Sequence, residues 1–251
     1  MIKISLCMIV KDEEAVLSRC LESAKTVADE IVIIDTGSTD KTVEIAKSFT
    51  KKVFPYPWRD DFAAARNFAF SKGTGDYLFW LDADDKIPHE SLAKLPALKA
   101  RLEKERPDML ICPYETGSTV FYRERFLRRE ADFVWQGRVH ECIAPRGKVL
   151  HSDFLITHLG SAKERGTRNL HIYQKWAAEE PLSGRDLFYY GRELYYNRLY
   201  TEAIAVLLKM LDGDGWYVNK IEACKILSLC YREIGDKEKA LRALFRSFLY
   251  G

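Results

Sequence analysis

Apolar residues in the first third of the chain fall into short unbroken blocks. Between the blocks, apolar positions recur three or four apart. The blocks at residues 4–10, 31–34, 53–54 and 77–81 have strand length and are rich in Ile, Val and aromatic residues, as in buried strands of a parallel sheet. Ala15, Val16, Cys20, Leu21 and Ala24 follow helical spacing, and helices are predicted over 41–49 and 61–72. Thr39 or Asp40 is placed to cap the first of these two. Gly73-Thr74-Gly75 ends the second. This alternation of strand and helix predicts an α/β fold built on a doubly wound sheet. After residue 85 the pattern loosens. A helix is predicted over 91–105, stopped by Pro107, then strands over 109–114, 120–127, 133–135, 143–144 and 153–158. From residue 169 the chain reads as helical.

The helical part repeats itself. Gly191, Ala203 and Leu207 recur as Ser228, Ala240 and Leu244, and Tyr231, Gly235 and Ala240 stand where a tetratricopeptide repeat places its Tyr, Gly and Ala. The copies are spaced about three residues wider than the usual period of about 34. That implies an insertion near Asp212-Gly213-Asp214-Gly215. A plain pair of helical hairpins is the simpler alternative. Two repeats are few for an architecture that usually needs about three and a cap. The open side is therefore expected to be covered by the first domain, by a partner, or by chain beyond Gly251. The expected domains are residues 1–168 and 169–251.

Composition changes this picture little. Hydrophobic residues are 47% of the chain, charged residues 30%, and the net charge is +2, so nothing points to nucleic acid as a partner. No stretch approaches the roughly 18 apolar residues of a membrane span, and residues 1–10 read as a strand rather than a signal peptide. The six cysteines are scattered without a Cys-x-x-Cys pair, which suits reduced thiols of a cytoplasmic protein.

The chemistry concentrates where the block Tyr77-Leu78-Phe79-Trp80-Leu81 runs into Asp82-Ala83-Asp84-Asp85. Open α/β sheets bind ligands at the carboxyl ends of their strands. Asp82 and Asp84, two apart, can face one object. Adjacent carboxylates repel unless a proton or cation offsets them, and hard oxygen donors suit Mg²⁺ or Mn²⁺ beside a bound phosphate. Against this stands the common use of Asp in turns and caps, which is the role expected of Asp85.

Four segments in order resemble family 2 glycosyltransferases of the GT-A fold. They are the opening Ser5-Leu6-Cys7-Met8-Ile9-Val10-Lys11-Asp12-Glu13-Glu14, the stretch Glu30-Ile31-Val32-Ile33-Ile34-Asp35-Thr36-Gly37-Ser38-Thr39-Asp40-Lys41-Thr42, the helix Phe62-Ala63-Ala64-Ala65-Arg66-Asn67, and Asp82-Ala83-Asp84. The likeness covers residues 1 to about 159. It implies a GT-A (Rossmann-like, mixed-sheet) domain followed by an all-α tetratricopeptide-like region, similar to bacterial peptide S-glycosyltransferases. It implies a nucleotide-diphosphate sugar as donor, expected to be UDP-linked, and Mn²⁺ or Mg²⁺. Asp35 and Glu13 are implied nucleoside contacts, with turn formation and helix-dipole compensation as the alternatives. Arg66 is placed to bridge a carboxylate and the nucleotide, or to form a surface ion pair. Asp61 either caps its helix or touches the base. Asp84 is the implied direct metal ligand, and Asp82 contacts ribose or the metal.

Two histidines join the set. Trp135-Gln136-Gly137-Arg138-Val139-His140-Glu141 resembles the acceptor-side segment of the branch that carries tetratricopeptide repeats. An inverting transferase needs one base for the acceptor's proton; Glu141 is the first candidate and His140 the second. The alternative is that the two bond to each other or to loop backbone. His158, in Ile156-Thr157-His158-Leu159-Gly160, is an implied metal ligand, with a structural histidine as the alternative. Lys163, Arg165 and Arg168 lie on an expected lid and would clamp the diphosphate, or form a solvated charge run. Trp58 and Trp135 read as core before acceptor cleft.

The expected activity is thus inverting, metal-dependent sugar transfer to a peptide, protein or cell-surface glycan. The helical region would hold the acceptor or pair two copies. A nucleotidyltransferase would instead show a Gly-rich basic loop after the first strand, where this chain has Lys11-Asp12-Glu13-Glu14. A catalytically dead transferase domain on a repeat scaffold is the non-enzyme alternative.

Overall fold

The computed structural model describes residues 2–160 and 166–250. The chain packs as two compact units, one of residues 1–136 and 141–163 and one of residues 137–140 and 164–251. Among the described residues no helix is long and apolar enough to cross a membrane.

The first unit opens with strand β1 (Ile4–Val10), helix α1 (Leu17–Ala24), β2 (Glu30–Asp35), α2 (Thr42–Phe49), β3 (Val53–Pro55), α3 (Phe62–Lys72) and β4 (Tyr77–Trp80). It continues with β5 (Asp85–Lys86), α4 (His89–Ala93), α5 (Leu95–Glu105), β6 (Met109–Thr116), β7 (Thr119–Arg128), β8 (Trp135–Gln136), β9 (Cys142–Ile143), β10 (Val149–His151) and β11 (Ile156–His158). The main sheet runs β3-β2-β1-β4-β7-β6-β11-β5, with β10 also paired to β6. Strands β3, β2, β1 and β4 are mutually parallel; β7 is antiparallel to β4 and to β6. The sheet is therefore mixed.

Side-chain alternation sorts the strands onto two covered faces. Ile4, Leu6, Met8 and Val10 of β1 join Tyr77 and Phe79 of β4 and Leu17, Cys20 and Leu21 of α1 on one face. Cys7, Val32, Ile34, Leu78 and Trp80 join Ala63, Ala69 and Phe70 of α3 on the other. The parallel strands read as unbroken apolar blocks because both faces are buried.

Helix α3 starts where predicted, with Asp61 Oδ1 accepting from the Ala64 amide at 2.8 Å. Gly73 after it is not left-handed (φ −72°). Its constraint is close approach: a Cβ on Gly73 would lie 2.6 Å from Leu78 Cδ2 and 3.2 Å from Ser5 Cβ, so these neighbours would have to shift. The helix predicted over 91–105 is two helices, because Pro96 lacks the amide that would bond back across the break and sits in the first turn of α5. Strands β5 and β10, absent from the sequence prediction, are two and three residues long.

The second unit contains α6 (Arg168–Glu179), α7 (Gly184–Tyr196), α8 (Tyr200–Asp212), α9 (Tyr217–Glu233) and α10 (Lys237–Arg246). Ala203 and Leu207 are fully buried, and Gly191 lets α7 approach Leu207 so closely that a Cβ would stand 2.5 Å from its Cδ2. The repeat-related Leu244 is 44% exposed. The outer helix of a stack has no neighbour on that side.

Candidate functional site

The loops after β1 and β2 interlock, because Val10 and Asp35 are register partners at adjacent strand ends. Asp12 Oδ1 accepts from the Thr39 amide at 2.7 Å, and the Glu13 amide donates to Thr42 Oγ1 at 2.6 Å. Asp35 Oδ1 accepts from the Ser38 amide at 3.1 Å and its Oδ2 from the Gly37 amide at 3.2 Å. Asp35 thus shapes its own turn in this structure.

Helix α3 places Arg66 under the end of β4. Three successive alanines before it allow the close packing, and Arg66 is only 8% exposed. Its guanidinium carbon lies 4.9 and 4.8 Å from the ring centroids of Trp80 and Trp135, which pack edge-on against each other at 5.0 Å. Nη2 donates to Asp82 Oδ1 at 2.7 Å, and Nε donates to Glu141 Oε1 at 2.6 Å. Burial opposes the charge, but the two carboxylates raise the Arg66 pKa and keep it cationic. Burial likewise pushes the Asp82 carboxyl up, and Arg66 more than reverses that, so its pKa is lowered. Next to Arg66, Asn67 fixes the Trp135 backbone from both sides: Nδ2 donates to its carbonyl at 3.0 Å and Oδ1 accepts its amide at 2.9 Å.

Asp84, Asp85 and His158 form the cluster that could hold a cation, each offering a ligand atom within 4.8 Å of the others. The expected ligands were Asp82, Asp84 and His158; among the described residues Asp84, Asp85 and His158 lie together, and Asp82 pairs with Arg66. Asp85 is no exposed turn residue. It is fully buried, Cα-paired with His158 across β5 and β11, and accepts from Tyr114 Oη at 2.7 Å and Arg125 Nη1 at 3.2 Å. Nδ1 of His158 lies 3.3 Å from Asp85 Oδ1 and 3.4 Å from Asp84 Oδ1. The hydrogen bond to Asp85 raises the His158 pKa, against burial and with help from Asp84. The Asp84 carboxyl is raised by burial and by Asp82 and Asp85, against His158. Carboxylate oxygen and imidazole nitrogen are donors that suit a divalent cation such as Mn²⁺.

Sequence reasoning missed Arg125, Tyr114 and Asn67. Arg125 sits in a stretch of charged and apolar residues that reads equally as a solvated strand face. The register of β6 and β7 shifts between Leu110 and Ile111, which pair with Phe126 and Glu124. Arg125 is the extra residue of this bulge, and a bulge re-aims a side chain.

Glu141 is mostly buried and Arg66-bound. His140 belongs to the second unit. Its backbone is left-handed (φ 53°), its ring stacks on Tyr189 at 4.6 Å, and its Nε2 lies 2.9 Å from Glu193 Oε1. Trp135 is buried, and Trp58 Nε1 donates to Asp60 at 2.9 Å. Lys163 and Arg165 lie outside the described residues; Arg168 opens α6.

A model of glycosyl transferase family 2 matches residues 5–169. A TPR repeat-containing protein of Synechococcus elongatus is 38% identical over 149 residues, covering 57% of this chain and 36% of that protein. The SPbeta prophage-derived glycosyltransferase SunS of Bacillus subtilis is 29% identical over 221 residues, covering 82% and 52%. The chain thus spans about half or less of the length of these two relatives. The structure of S. aureus TarS 1–349 in complex with UDP-GlcNAc is similar with a TM-score of 0.56 at 14% identity, covering 99% of this chain and 92% of that one. At that identity the likeness is one of fold: a GT-A domain followed by tetratricopeptide-like helices.

Proposed function

The chain belongs to glycosyl transferase family 2, and on that premise we propose that it transfers a sugar from a nucleotide-diphosphate donor, with inversion and with a divalent cation. One observation carries the metal-dependent part. Asp82 has Arg66 and Asp85 has Arg125, whereas among the described residues Asp84 has only His158 as its charge partner. Asp84 is therefore the carboxylate whose charge the protein leaves least compensated, and it stands at the carboxyl end of β4, where open sheets take ligands. Asp84 and His158 would hold Mn²⁺ or Mg²⁺. When bound, such a cation stabilises negative charge on the departing nucleoside diphosphate.

Glu141 is the proposed base. Arg66 holds one carboxylate oxygen and fixes its orientation. The other oxygen accepts no hydrogen bond among the described residues and is left for the acceptor's proton. His140 is the weaker candidate because its Nε2 is engaged by Glu193. UDP is the proposed nucleotide, supported by the UDP-GlcNAc bound to the structural relative. Glu13, Asp35, Asp82 and Arg66 are its proposed neighbours, with Lys163 and Arg165 on the diphosphate side. The acceptor is proposed to be a peptide, protein or glycan. Stacked helical hairpins suit an extended chain, or the pairing of two copies.

Calorimetric titration of UDP, GDP and CDP, each with Mn²⁺ and with EDTA, tests this. Metal-dependent binding of UDP is the expected result. Asp84→Ala should lose metal-dependent turnover while folding normally. Glu141→Gln should lose turnover by about 10²–10⁴-fold yet bind UDP as before. Folded protein that binds none of the three nucleotides would overturn the proposal.

A further inference from the structure

Asp85 has no oxygen left to give. Its Oδ1 takes Tyr114 Oη at 2.7 Å and His158 Nδ1 at 3.3 Å. Its Oδ2 takes the Asp82 amide at 3.0 Å and Arg125 Nη1 at 3.2 Å. A carboxylate has about four lone-pair sites, and all four are used by donors from four different places in the first unit.

Arg125 explains why those donors stay. It is fully buried between Trp80 and Tyr114, 3.8 and 4.4 Å from their ring centroids. Nε and Nη2 have no partner among the described residues, and Nη1 bonds only the Trp80 carbonyl and Asp85. The bulge that buries Arg125 is itself held, because Trp80 Nε1 donates to the Glu124 carbonyl. A cation bonded directly to Asp85 would stand beside a buried guanidinium that is itself paired to Asp85.

We propose that Asp85 is a positioning residue and not a metal ligand: with Tyr114 and Arg125 it fixes the turn carrying Asp82 and Asp84 and the ring of His158. This rests on the metal-dependent reading above. The Asp82 amide bond sets the turn. The Nδ1 bond sets the imidazole's orientation, with the same Nδ1 3.4 Å from Asp84 Oδ1.

The test is a Mn²⁺ titration followed by electron paramagnetic resonance, on the full chain with UDP, for wild type, Asp84→Ala, Asp85→Asn and Tyr114→Phe. Nitrogen NMR of the His158 ring and circular dichroism accompany it. Wild type should bind and Asp84→Ala should not. Asp85→Asn should bind about 10–100-fold more weakly, with a shifted Nδ1 resonance. Tyr114→Phe is the decisive variant, because it removes one hydroxyl and folds without leaving a charge unpaired. If Asp85 positions the site, Tyr114→Phe weakens Mn²⁺ binding by up to about tenfold. If Asp85 is a ligand, the change frees Oδ1, and binding is unchanged or tighter; that result overturns the proposal. Wild-type affinity with an unmoved His158 resonance in folded Asp85→Asn also overturns it. Absence of Mn²⁺ binding by wild type would instead remove the metal-dependent reading, and this proposal with it.

Discussion

Arg66 donates from Nε to Glu141 Oε1 at 2.6 Å, joining residues 75 positions apart. The same guanidinium reaches Asp82 with Nη2. One planar group thus ties the turn after β4 to the segment that opens β9, beside the rings of Trp80 and Trp135.

Arg66→Lys keeps the charge and loses the fork. An ammonium cannot donate along two fixed directions or lie as a planar cation against Trp80 and Trp135. Turnover should fall about 10²-fold, the size of effect that a small misplacement of reacting groups produces. Nucleotide release at saturating Mn²⁺ measures it, and wild-type turnover would sink the bridging role.

Asn67→Ala should cost stability. It removes both hydrogen bonds to the Trp135 backbone and leaves an amide and a carbonyl without partners beside a buried ring. The expected loss is about 1–3 kcal/mol, read by urea unfolding followed through tryptophan fluorescence. An unchanged midpoint would mean that water satisfies both groups.

Acid should act through Glu30. Burial alone would raise its carboxyl, but bonds from Lys52, Ser5 and Thr74 outweigh burial and bring it down to about 2. The unfolded value is about 4.3, so the folded pKa is depressed. The stability this group contributes is fully present above about 4.3 and is lost as pH falls toward about 2. Glu30→Gln should flatten the stability profile in that window. Urea midpoints at about pH 3 and about pH 7 for both proteins decide it: an equally steep acid limb in the variant would assign the loss to other groups.

Gly191→Val should destabilise the helical unit. Its Cβ would meet Leu207 at 2.5 Å, an overpacking cost of about 1–3 kcal/mol. Leu207→Ala in the same chain should recover part of that loss, because the two residues share one contact. Thermal unfolding of the single and double variants measures the coupling. Strict additivity would mean that the helices shift apart freely.

The strands β1 to β4 and helices α2 and α3 were legible because both sheet faces are covered. Burial on two sides writes an unbroken apolar block, and helix caps and glycines punctuate it locally. The order of four motifs was enough to imply the GT-A fold, and Asp61 caps its helix, one of the two roles its position left open. The repeat in the helical part was legible for a similar reason, since small residues mark where helices approach closely. The identities of the partners within the site were not legible. Asp85 looked like a turn residue, and only pairing with His158, with a bulge opposite, buries it beside Arg125 and Tyr114. Asp82 and Asp84 are chemically alike in the sequence. Arg66 separates them, lowering one and leaving the other raised. Propensity and periodicity act within a few residues and so determine elements. Charge compensation acts through space between residues tens of positions apart, and only the folded chain decides it.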